Sequence, residues 1–240
     1  MSDLTLHIQR YLPGTHTAPE LQTYTLPVPP DASLLDALRH VQDHLDPSLA
    51  MRWSCRMGIC GSCGVRVDGQ PKLACEVFVR DLGHEATIEP LDHLPIQRDL
   101  IVDMSGFLEH LSAVRPWIHG DPGEAPRQSP AQLTAYKAAS GCINCLLCVS
   151  ACPQAGLSDA FLGPAAISLG HRYNQDSRDS GNAERLPALQ SKHGAWGCTL
   201  VGVCSEVCPK GVDPAAAIQQ EKVRGAITWV GDAIRRLVGT

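Results

Sequence analysis

The sequence predicts an α+β protein with two parts, a half that mixes strands and a helix followed by an all-helical half. Three observations predict this division. Apolar and polar residues alternate in several early segments, as is typical of strands, and one segment between them has helical spacing. A stretch rich in proline and glycine follows near residue 120, and the chain beyond it contains short segments with helical periodicity.

The N-terminal half is predicted to begin with a hairpin. Apolar alternation over residues 4–12 and 21–28 predicts two strands, and residues 31–45 have apolar side chains at helical spacing, with Asp31 or Ser33 able to cap the helix. A glycine-rich cysteine loop follows, and then Asp68-Gly69 is a hairpin turn signal between two strand-like runs. This order of elements predicts a β-grasp domain over residues 1–105.

The second half is separated from the first by a linker. Residues 119–130, HGDPGEAPRQSP, contain three prolines and two glycines, which cannot support a helix or a central strand. We therefore assign residues 106–130 to a connecting segment and linker. Helical segments are predicted at 131–140, 163–175, 183–190 and 214–227, so residues 131–240 are expected to form an all-α domain.

Composition directs attention to the thiols. The chain has 11 cysteines although aromatic residues make up only 5%. Its formal net charge of -5, without a block of like charge, gives no footprint for nucleic acid or anionic lipid. The N-terminus lacks the apolar run of a signal peptide, and no stretch approaches the roughly 18 apolar residues of a membrane span. We expect a cytoplasmic chain whose closely spaced cysteines bind metal rather than form disulfides.

The first cysteine motif occupies residues 55–75, CRMGICGSCGVRVDGQPKLAC. Four residues separate Cys55 from Cys60 and two separate Cys60 from Cys63, while Cys75 follows after eleven more. This spacing is typical of plant-type ferredoxins, in which four thiolates hold a [2Fe-2S] cluster. Its glycines allow a tight loop whose N–H groups point at the sulfurs. The structural alternative is a zinc site, although zinc ligands usually come as two separate short knuckles.

The second motif is CINCLLCVSACP, with Cys142, Cys145, Cys148 and Cys152 before a proline. This is the run of two-cluster bacterial ferredoxins, in which the fourth cysteine ligates the other cluster. The motif therefore predicts that the helical domain holds a pair of clusters like that of a bacterial ferredoxin.

The third motif, GCTLVGVCSEVCPKG, follows the same template with one exception, since Val201 stands where a ligand is expected. The ligand exchange of such ferredoxins assigns Cys142, Cys145, Cys148 and Cys208 to a [4Fe-4S] cluster. The other site receives Cys152, Cys198 and Cys204, and three thiolates with an apolar fourth corner favour [3Fe-4S]. The alternative is that Val201 marks a decayed site, but every other ligand position is intact. These assignments use all 11 cysteines.

These motifs, with DAFLGPAAI, HRYNQDSRD and DPAAAIQQEK, make the chain similar over nearly its whole length to the iron-sulfur subunits of the succinate dehydrogenase and fumarate reductase family. The resemblance implies two partners, a flavoprotein subunit with covalent FAD and membrane anchor subunits that bind quinone. It also implies electron transfer in the order FAD, [2Fe-2S], [4Fe-4S], [3Fe-4S], quinone. The expected location is the cytoplasmic face of the inner membrane.

Local features resemble the fumarate reductase branch. Cys63 is a cysteine where some dehydrogenases have aspartate, Gln154 to Gly156 replace the segment that carries the quinone-pocket tryptophan of dehydrogenases, and Thr199 stands where they usually have histidine. By resemblance the residues facing the quinone are Thr199, Leu200, Gln219 and Lys222. The alternative for Gln219 and Lys222 is a solvated helix face.

Other residues predict no further chemistry. The ten histidines have no spacing of a metal pair and are interpreted as surface or helix residues, and no catalytic residue is expected because no Ser-His-Asp set or paired-carboxylate motif is present. Three alternatives stay open: a succinate dehydrogenase working toward quinone, a free multi-cluster ferredoxin, and a zinc-stabilised binding module. The tail is expected to form an apolar helix face with Ile227, Val230, Ile234, Leu237 and Val238.

Overall fold

The computed structural model describes residues 2–120 and 127–238, so residues 121–126 of the predicted linker lie outside the described residues. The described chain forms two compact units. The first contains the residues up to Met104 together with Ile143–Ala151, and the second contains the rest, from Ser105 to Cys142 and from Cys152 onward. The short segment that follows Cys142 therefore belongs to the first unit.

The first unit is built on a five-stranded sheet with the order β2-β1-β5-β3-β4. The strands are β1 (Ser2–Arg10), β2 (Glu20–Val28), β3 (Gly64–Val67), β4 (Gln70–Leu73) and β5 (Glu85–Glu89). β1 pairs antiparallel with β2 and parallel with β5, while Asp68-Gly69 forms the predicted turn between β3 and β4. The sheet part of the predicted fold class is confirmed.

The strand β5 was not predicted, although it lies at the centre of the sheet. Its sequence, EATIE, is short and begins and ends with a charged residue, so it lacks the apolar run expected of a central strand. Only Ala86 and Ile88 are buried. The strand is therefore stabilised by its pairing with β1 and β3 on either side.

The helix α1 (Leu34–His40) begins where the sequence predicted a cap. Ser33 is the N-cap, and its hydroxyl accepts from the N–H of Asp36 while the Asp36 carboxylate accepts from the N–H of Ser33. This reciprocal capping box satisfies two N–H groups at the start of the helix. Its apolar face is buried in the core of the unit, and the chain continues as a π-helical turn over Val41–Leu45.

A group of buried charged side chains around Arg10 connects β1 to loops of the first unit. The Arg10 Nε lies 3.1 Å from Asp99 Oδ1, and Asp99 also accepts from the N–H groups of Tyr11 and Ala50. Asp99 lies beside the small hairpin β6 (Ile96–Arg98) and β7 (Ile101–Val102). The cluster thereby connects β1 with two loops that are distant in the sequence.

Helices make up the second unit, which confirms the all-α prediction for this half. They are α2 (Ser105–Ala113), α3 (Pro130–Lys137), α5 (Pro153–Leu157), α6 (Gly163–Asn174), α7 (Asn182–Leu189), α8 (Val203–Glu206) and α9 (Pro214–Val238), while α4 (Leu147–Ser150) lies in the first unit. The helix α2 lies almost entirely in the segment that was predicted as a connection. Its amphipathic residues come before the proline-rich stretch on which that prediction was based.

The core of the second unit lies between α6, α7 and α9. It is formed by eight buried side chains, Val114, Phe161, Leu162, Ala166, Ile167, Leu189, Ala195 and Ile218. Cys152 and Cys198 pack against this cluster. Two of the predicted metal ligands therefore extend directly from the hydrophobic core, which holds their backbone in place.

The helix α9 continues without a break from the helix predicted at 214–227 into the predicted helical tail. Its last three turns are exposed, with Ile227, Val230, Ile234 and Leu237 between 47% and 87% accessible, and the side chain of Val238 lies outside the described residues. Among the described residues, no helix is long and apolar enough to cross a membrane.

Candidate metal centres

The loop from Cys55 to Cys63 is shaped for sulfur ligands. Arg56, Gly58 and Gly61 have positive φ angles of 59°, 65° and 71°, which turn the backbone inward. As a result, Cys55 Sγ accepts from the N–H groups of Ile59 and Cys60 at 3.3 and 3.2 Å. N–H groups pointed at a sulfur stabilise its thiolate form, so this loop fits a cluster held by cysteines.

The thiols of this loop differ in acidity. Hydrogen bonds from the Cys55 backbone and from Ser62 lower the pKa of Cys60 to about 6. Burial raises the pKa of Cys63 to about 12. A buried thiol of this kind releases its proton only when a cation compensates the charge, and iron would supply that compensation in a [2Fe-2S] site.

Glycines allow this loop to lie against a second cysteine segment of the same unit. A Cβ at Gly61 would lie 2.9 Å from the Ile143 carbonyl oxygen and 3.0 Å from Cys145 Cα. A Cβ at Gly64 would lie 3.1 Å from the Cys145 carbonyl oxygen. Backbone contact of this kind leaves no room for a side chain, so the glycines bring the predicted [2Fe-2S] loop next to a predicted [4Fe-4S] ligand.

The segments that begin at Cys142 and Cys198 have the same backbone course. A 3-10 turn precedes each cysteine, and a four-residue helix, α4 or α8, begins five residues after it. Between them, positive φ angles occur two and four residues after each cysteine, at Asn144 and Leu146 (53° and 64°) and at Leu200 and Gly202 (67° and 87°).

Val201 takes the place of Cys145 in this repeated backbone. Leucine at a positive φ is unfavourable, because its Cβ crowds the following carbonyl. Such a conformation persists only where the surroundings impose it. Retention of the turn at Leu200 indicates that the loop around Val201 keeps the shape of a cluster loop.

Three predicted ligands line one pocket in the second unit. Cys152, Cys198 and Cys204 surround it together with Val201 and Phe161. Burial and the neighbouring thiolates of Cys152 and Cys198 raise the pKa of Cys204 to about 11, and burial also raises the pKa of Cys152. Converging buried thiols repel one another when ionised, so this site fits a group that brings several positive charges.

The arrangement differs from a site for one metal ion. Among residues 2–120 and 127–238, no group of three or more His, Cys, Asp or Glu side chains is arranged to hold a single ion. Cluster ligands are spaced more widely, because irons and bridging sulfides lie between them. Cys142 and Cys208 belong to the second unit and Cys145 and Cys148 to the first, and their assignment to one cluster rests on sequence spacing.

Comparison with known families gives one match in the N-terminal part of the chain and another in the C-terminal part. Residues 5–109 match a "2Fe-2S iron-sulfur cluster binding domain", and residues 125–212 match a "4Fe-4S dicluster domain". The first match contains the four cysteines from Cys55 to Cys75, and the second contains the remaining seven. Both iron-sulfur predictions are thus confirmed at the level of the domain.

Whole-length relatives identify the family. The fumarate reductase iron-sulfur subunit of Escherichia coli O6:H1 is 53% identical over 94% of this chain and 94% of its own. The succinate dehydrogenase iron-sulfur subunit of Coxiella burnetii is 36% identical over 90% of this chain. The chain belongs to the fumarate reductase and succinate dehydrogenase iron-sulfur subunit family. The fold agrees, since the Mycobacterium smegmatis Sdh1 complex in the apo form contains a chain that superposes with a TM-score of 0.85 at 28% identity, covering 95% of this chain and 97% of that one.

Two of the four residues predicted to face quinone in this family lie beside the three-cysteine pocket. Thr199 and Leu200 both line it and are exposed. Lys222, on α9, donates from Nζ to the Cys198 carbonyl oxygen at 2.8 Å. Its ammonium group is therefore directed at the cysteine loop rather than only at solvent.

Gln219 lies elsewhere. It lines a separate open hollow with Gln175, Arg224 and Ile227, on another face of α9. Its Nε2 is buried and finds no hydrogen-bond partner among residues 2–120 and 127–238. The structure thus brings Thr199, Leu200 and Lys222 to one place and does not bring Gln219 to the same pocket.

Some polar residues around this site were missed from the sequence. His171, interpreted as a surface or helix residue, is on α6 but is buried, and its Nδ1 lies 2.7 Å from Glu221 Oε1. Trp196 and Gln190 bond to each other beside Cys198. No spacing rule marks these residues, because their partners come from distant helices; only the tryptophan two residues before a ligand offered a local signal.

Proposed function

We propose that this chain is the electron-transferring subunit of a membrane-bound fumarate reductase or succinate dehydrogenase. It would relay single electrons between the FAD of a flavoprotein subunit and a quinone at the membrane anchor subunits. The supporting observation is the combination of three cysteine sets in one chain, with the third set ending in an exposed pocket lined by Val201. Iron-sulfur clusters, when bound, supply the one-electron chemistry.

The proposed ligands divide the cysteines into three sets. Cys55, Cys60, Cys63 and Cys75 hold [2Fe-2S]; Cys142, Cys145, Cys148 and Cys208 hold [4Fe-4S]; Cys152, Cys198 and Cys204 hold [3Fe-4S]. The N–H groups around Cys55 and the shared backbone course of the Cys142 and Cys198 segments support these sets. The protein itself would fix the spacing of the cluster ligands and exclude water from Cys63 and Cys204. It would also leave one corner of the three-cysteine pocket without a ligand.

We place quinone near Thr199, Leu200 and Lys222. Thr199 and Leu200 line the three-cysteine pocket and are exposed. Lys222 is the charged residue of these three, and its ammonium group donates to the Cys198 carbonyl oxygen. Gln219 would contribute from the neighbouring hollow on α9. A membrane location on the cytoplasmic face follows if the anchor subunits cover this end.

The direction we favour is from menaquinol to fumarate. Identity to a fumarate reductase subunit is 53%, compared with 36% for a succinate dehydrogenase subunit. The second candidate is the succinate-to-quinone direction, which the likeness to a chain of the Mycobacterium smegmatis Sdh1 complex supports.

Turnover measured in both directions tests the proposal. The purified complex is assayed for fumarate reduction with a menaquinol analogue and for succinate oxidation with a ubiquinone analogue. We expect faster fumarate reduction, together with about nine irons per chain and an electron paramagnetic resonance (EPR) signal from a three-iron centre in the oxidised state. A chain that purifies alone and transfers electrons without partners would instead be a free ferredoxin, and zinc in place of iron would refute the proposal.

A further inference from the structure

Three hydrogen bonds and one cation–ring contact connect helix α9 to the segment that carries Cys198. The amide of Gln190, at the end of α7, donates from Nε2 to the Glu221 carbonyl oxygen at 2.7 Å and accepts at Oε1 from Trp196 Nε1 at 3.0 Å. Lys222 completes the connection, because its Nζ donates to the Cys198 carbonyl oxygen and lies 5.9 Å from the centre of the Trp196 ring. One side-chain amide thus bridges a helix and the turn before a proposed ligand.

The bridge uses both ends of the amide, which few other side chains can do. A carboxylate has no donor for the Glu221 carbonyl, and an alanine has neither group. Asparagine has the same groups on a shorter side chain. Trp196 belongs to the 3-10 turn Ala195–Gly197, which leads directly into Cys198, so the position of its indole is coupled through two residues of backbone to the proposed ligand.

Gly225 makes room for this bridge. A Cβ at Gly225 would overlap the side-chain amide of Gln190. The glycine lies one turn after Glu221 on the same face of α9, so the amide rests directly on the helix backbone. Glycine is an unfavourable residue in the interior of a helix, and here the close approach of Gln190 explains its presence.

We propose that Gln190 is a positioning residue for the three-cysteine site, with Gly225 as the space it requires. By fixing Trp196 on α9 beneath Lys222, it sets the position of Cys198 and of the adjacent Thr199 and Leu200. This inference rests on the proposed function, since it concerns the electron-transfer end of the same chain. Gln190 acts through Trp196 and is not itself a ligand or a quinone contact.

Two single variants test the bridge in different ways. Gln190→Ala removes both hydrogen bonds, whereas Gly225→Ala changes no hydrogen-bonding group and only displaces the end of the Gln190 side chain. Gly231→Ala is the matched control, because it lies on the same helix and a Cβ there would meet, apart from its own stretch of helix, no atom of the described residues within 4 Å. The double variant Gln190→Ala/Gly225→Ala completes a double-mutant cycle, in which both substitutions are expected to act by disrupting the same bridge.

The measurements are made on the whole purified complex. The first is the EPR spectrum of the oxidised three-iron centre, and the second is the ratio of quinol-driven fumarate reduction to reduction driven by a soluble reduced viologen dye. We expect each single variant to alter the EPR spectrum and to lower the ratio about fivefold. A fivefold change corresponds to the net free energy of about one hydrogen bond. Gly231→Ala should match the wild type, and the double variant should be no worse than Gln190→Ala.

Two outcomes would overturn the inference. One is that both single variants keep the wild-type EPR spectrum and the wild-type ratio of quinol-driven to dye-driven reduction. The other is that the losses of the two single variants multiply in the double variant. If Gln190→Ala fails to assemble, Gly225→Ala decides by the same two readouts. Failure of the proposed function is distinguishable, since in that case the wild-type complex itself lacks the oxidised three-iron signal or the quinol-driven turnover.

Discussion

The proposed chemistry of the three-cysteine pocket depends on one side chain, that of Val201. Its neighbours Leu200 and Gly202 keep the two left-handed turns found around Cys145, so the backbone could present a ligand here. The side chain is an isopropyl group that cannot bind iron. It is also 60% exposed, which leaves the ligand-free corner of the pocket accessible from outside.

We therefore expect Val201→Cys to convert the three-cysteine site toward [4Fe-4S]. The added thiolate would occupy the corner that the repeated backbone already presents, raise the iron content by about one per chain and lower the potential of the centre. Iron analysis and EPR of the oxidised protein measure the change.

Val201→Ala is the control for this substitution, since it alters the side chain without adding a ligand and should keep the oxidised three-iron signal. An unchanged iron content and signal in Val201→Cys would mean that position 201 is not a ligand position.

Asp46 illustrates how charge at single residues stabilises the first unit. Hydrogen bonds from Ser48 and Tyr24, followed by the contact with Arg10, hold the pKa of Asp46 well below its usual range. The Ser48 and Tyr24 hydroxyls lie 2.6 and 2.7 Å from its carboxylate oxygens. Because the pKa is lower in the folded chain than in the unfolded chain, the carboxylate stabilises the fold above pH of about 4 and loses this effect as pH falls further.

Asp46→Asn should lower the free energy of unfolding by about 2 kcal/mol at pH 7. The difference from the wild type should shrink as pH falls from about 5 to about 2, because the unfolded chain then takes up a proton at position 46 while the folded chain still holds this carboxylate ionised. Denaturant unfolding followed by circular dichroism over this pH range measures it. Asp43→Asn is the control, since Asp43 is exposed and its contact with Arg39 contributes under about 1 kcal/mol. A constant difference between wild type and Asp46→Asn would contradict the assignment.

At the scale of elements, the cysteine loops depend on backbone that side chains would obstruct. Gly61 combines a φ of 71° with contact against the backbone of residues 143 and 145. Gly83 has a similar φ of 70°, but apart from its chain neighbours a Cβ there would meet no described atom within 4 Å. The two glycines therefore separate the conformational effect of a substitution from the steric one.

Gly61→Ala should reduce occupancy of the [2Fe-2S] site, with the iron content falling by up to about two per chain. Gly83→Ala carries the same conformational strain, about 1 kcal/mol, and should keep its iron. Iron analysis and the reduced-state EPR spectrum distinguish them. Equal iron content in the two variants would show that the close approach at Gly61 does not govern the loop.

At the scale of the whole molecule, the clusters are expected to stabilise the helical unit. The helices α5 and α8 span only five and four residues, which is far shorter than an isolated helix needs for stability in water. Cys152 immediately precedes α5, and Cys204 lies within α8. Metal binding at these proposed ligands would therefore add free energy to the folded state of both helices.

Removal of iron with a chelator under reducing conditions should therefore lower the melting temperature of the helical circular dichroism signal by several degrees or more. Reconstitution with iron and sulfide should restore it, which separates loss of the clusters from irreversible damage. An apoprotein that melts at the same temperature as the iron-loaded protein would show that the helices fold without the clusters.

The sequence by itself predicted the cysteine sets, and it determined the capped helix α1, the hairpin turn at Asp68-Gly69 and the division into a sheet half and a helical half. These features depend on spacing and on turn chemistry over a few residues, so local pattern is sufficient to predict them. The family resemblance extended the prediction to partners and to the direction of electron flow.

Only the tertiary structure decided the rest. The strand β5 becomes central because β1 and β3 pair with it, His171 is buried where Glu221 reaches it from α9, and Gln190 meets Trp196 and Gly225, the contacts on which its proposed role rests. Each of these depends on partners brought together from distant parts of the chain. The same holds for Lys222, whose helical pattern alone could not separate a solvated face from a contact with the loop of Cys198.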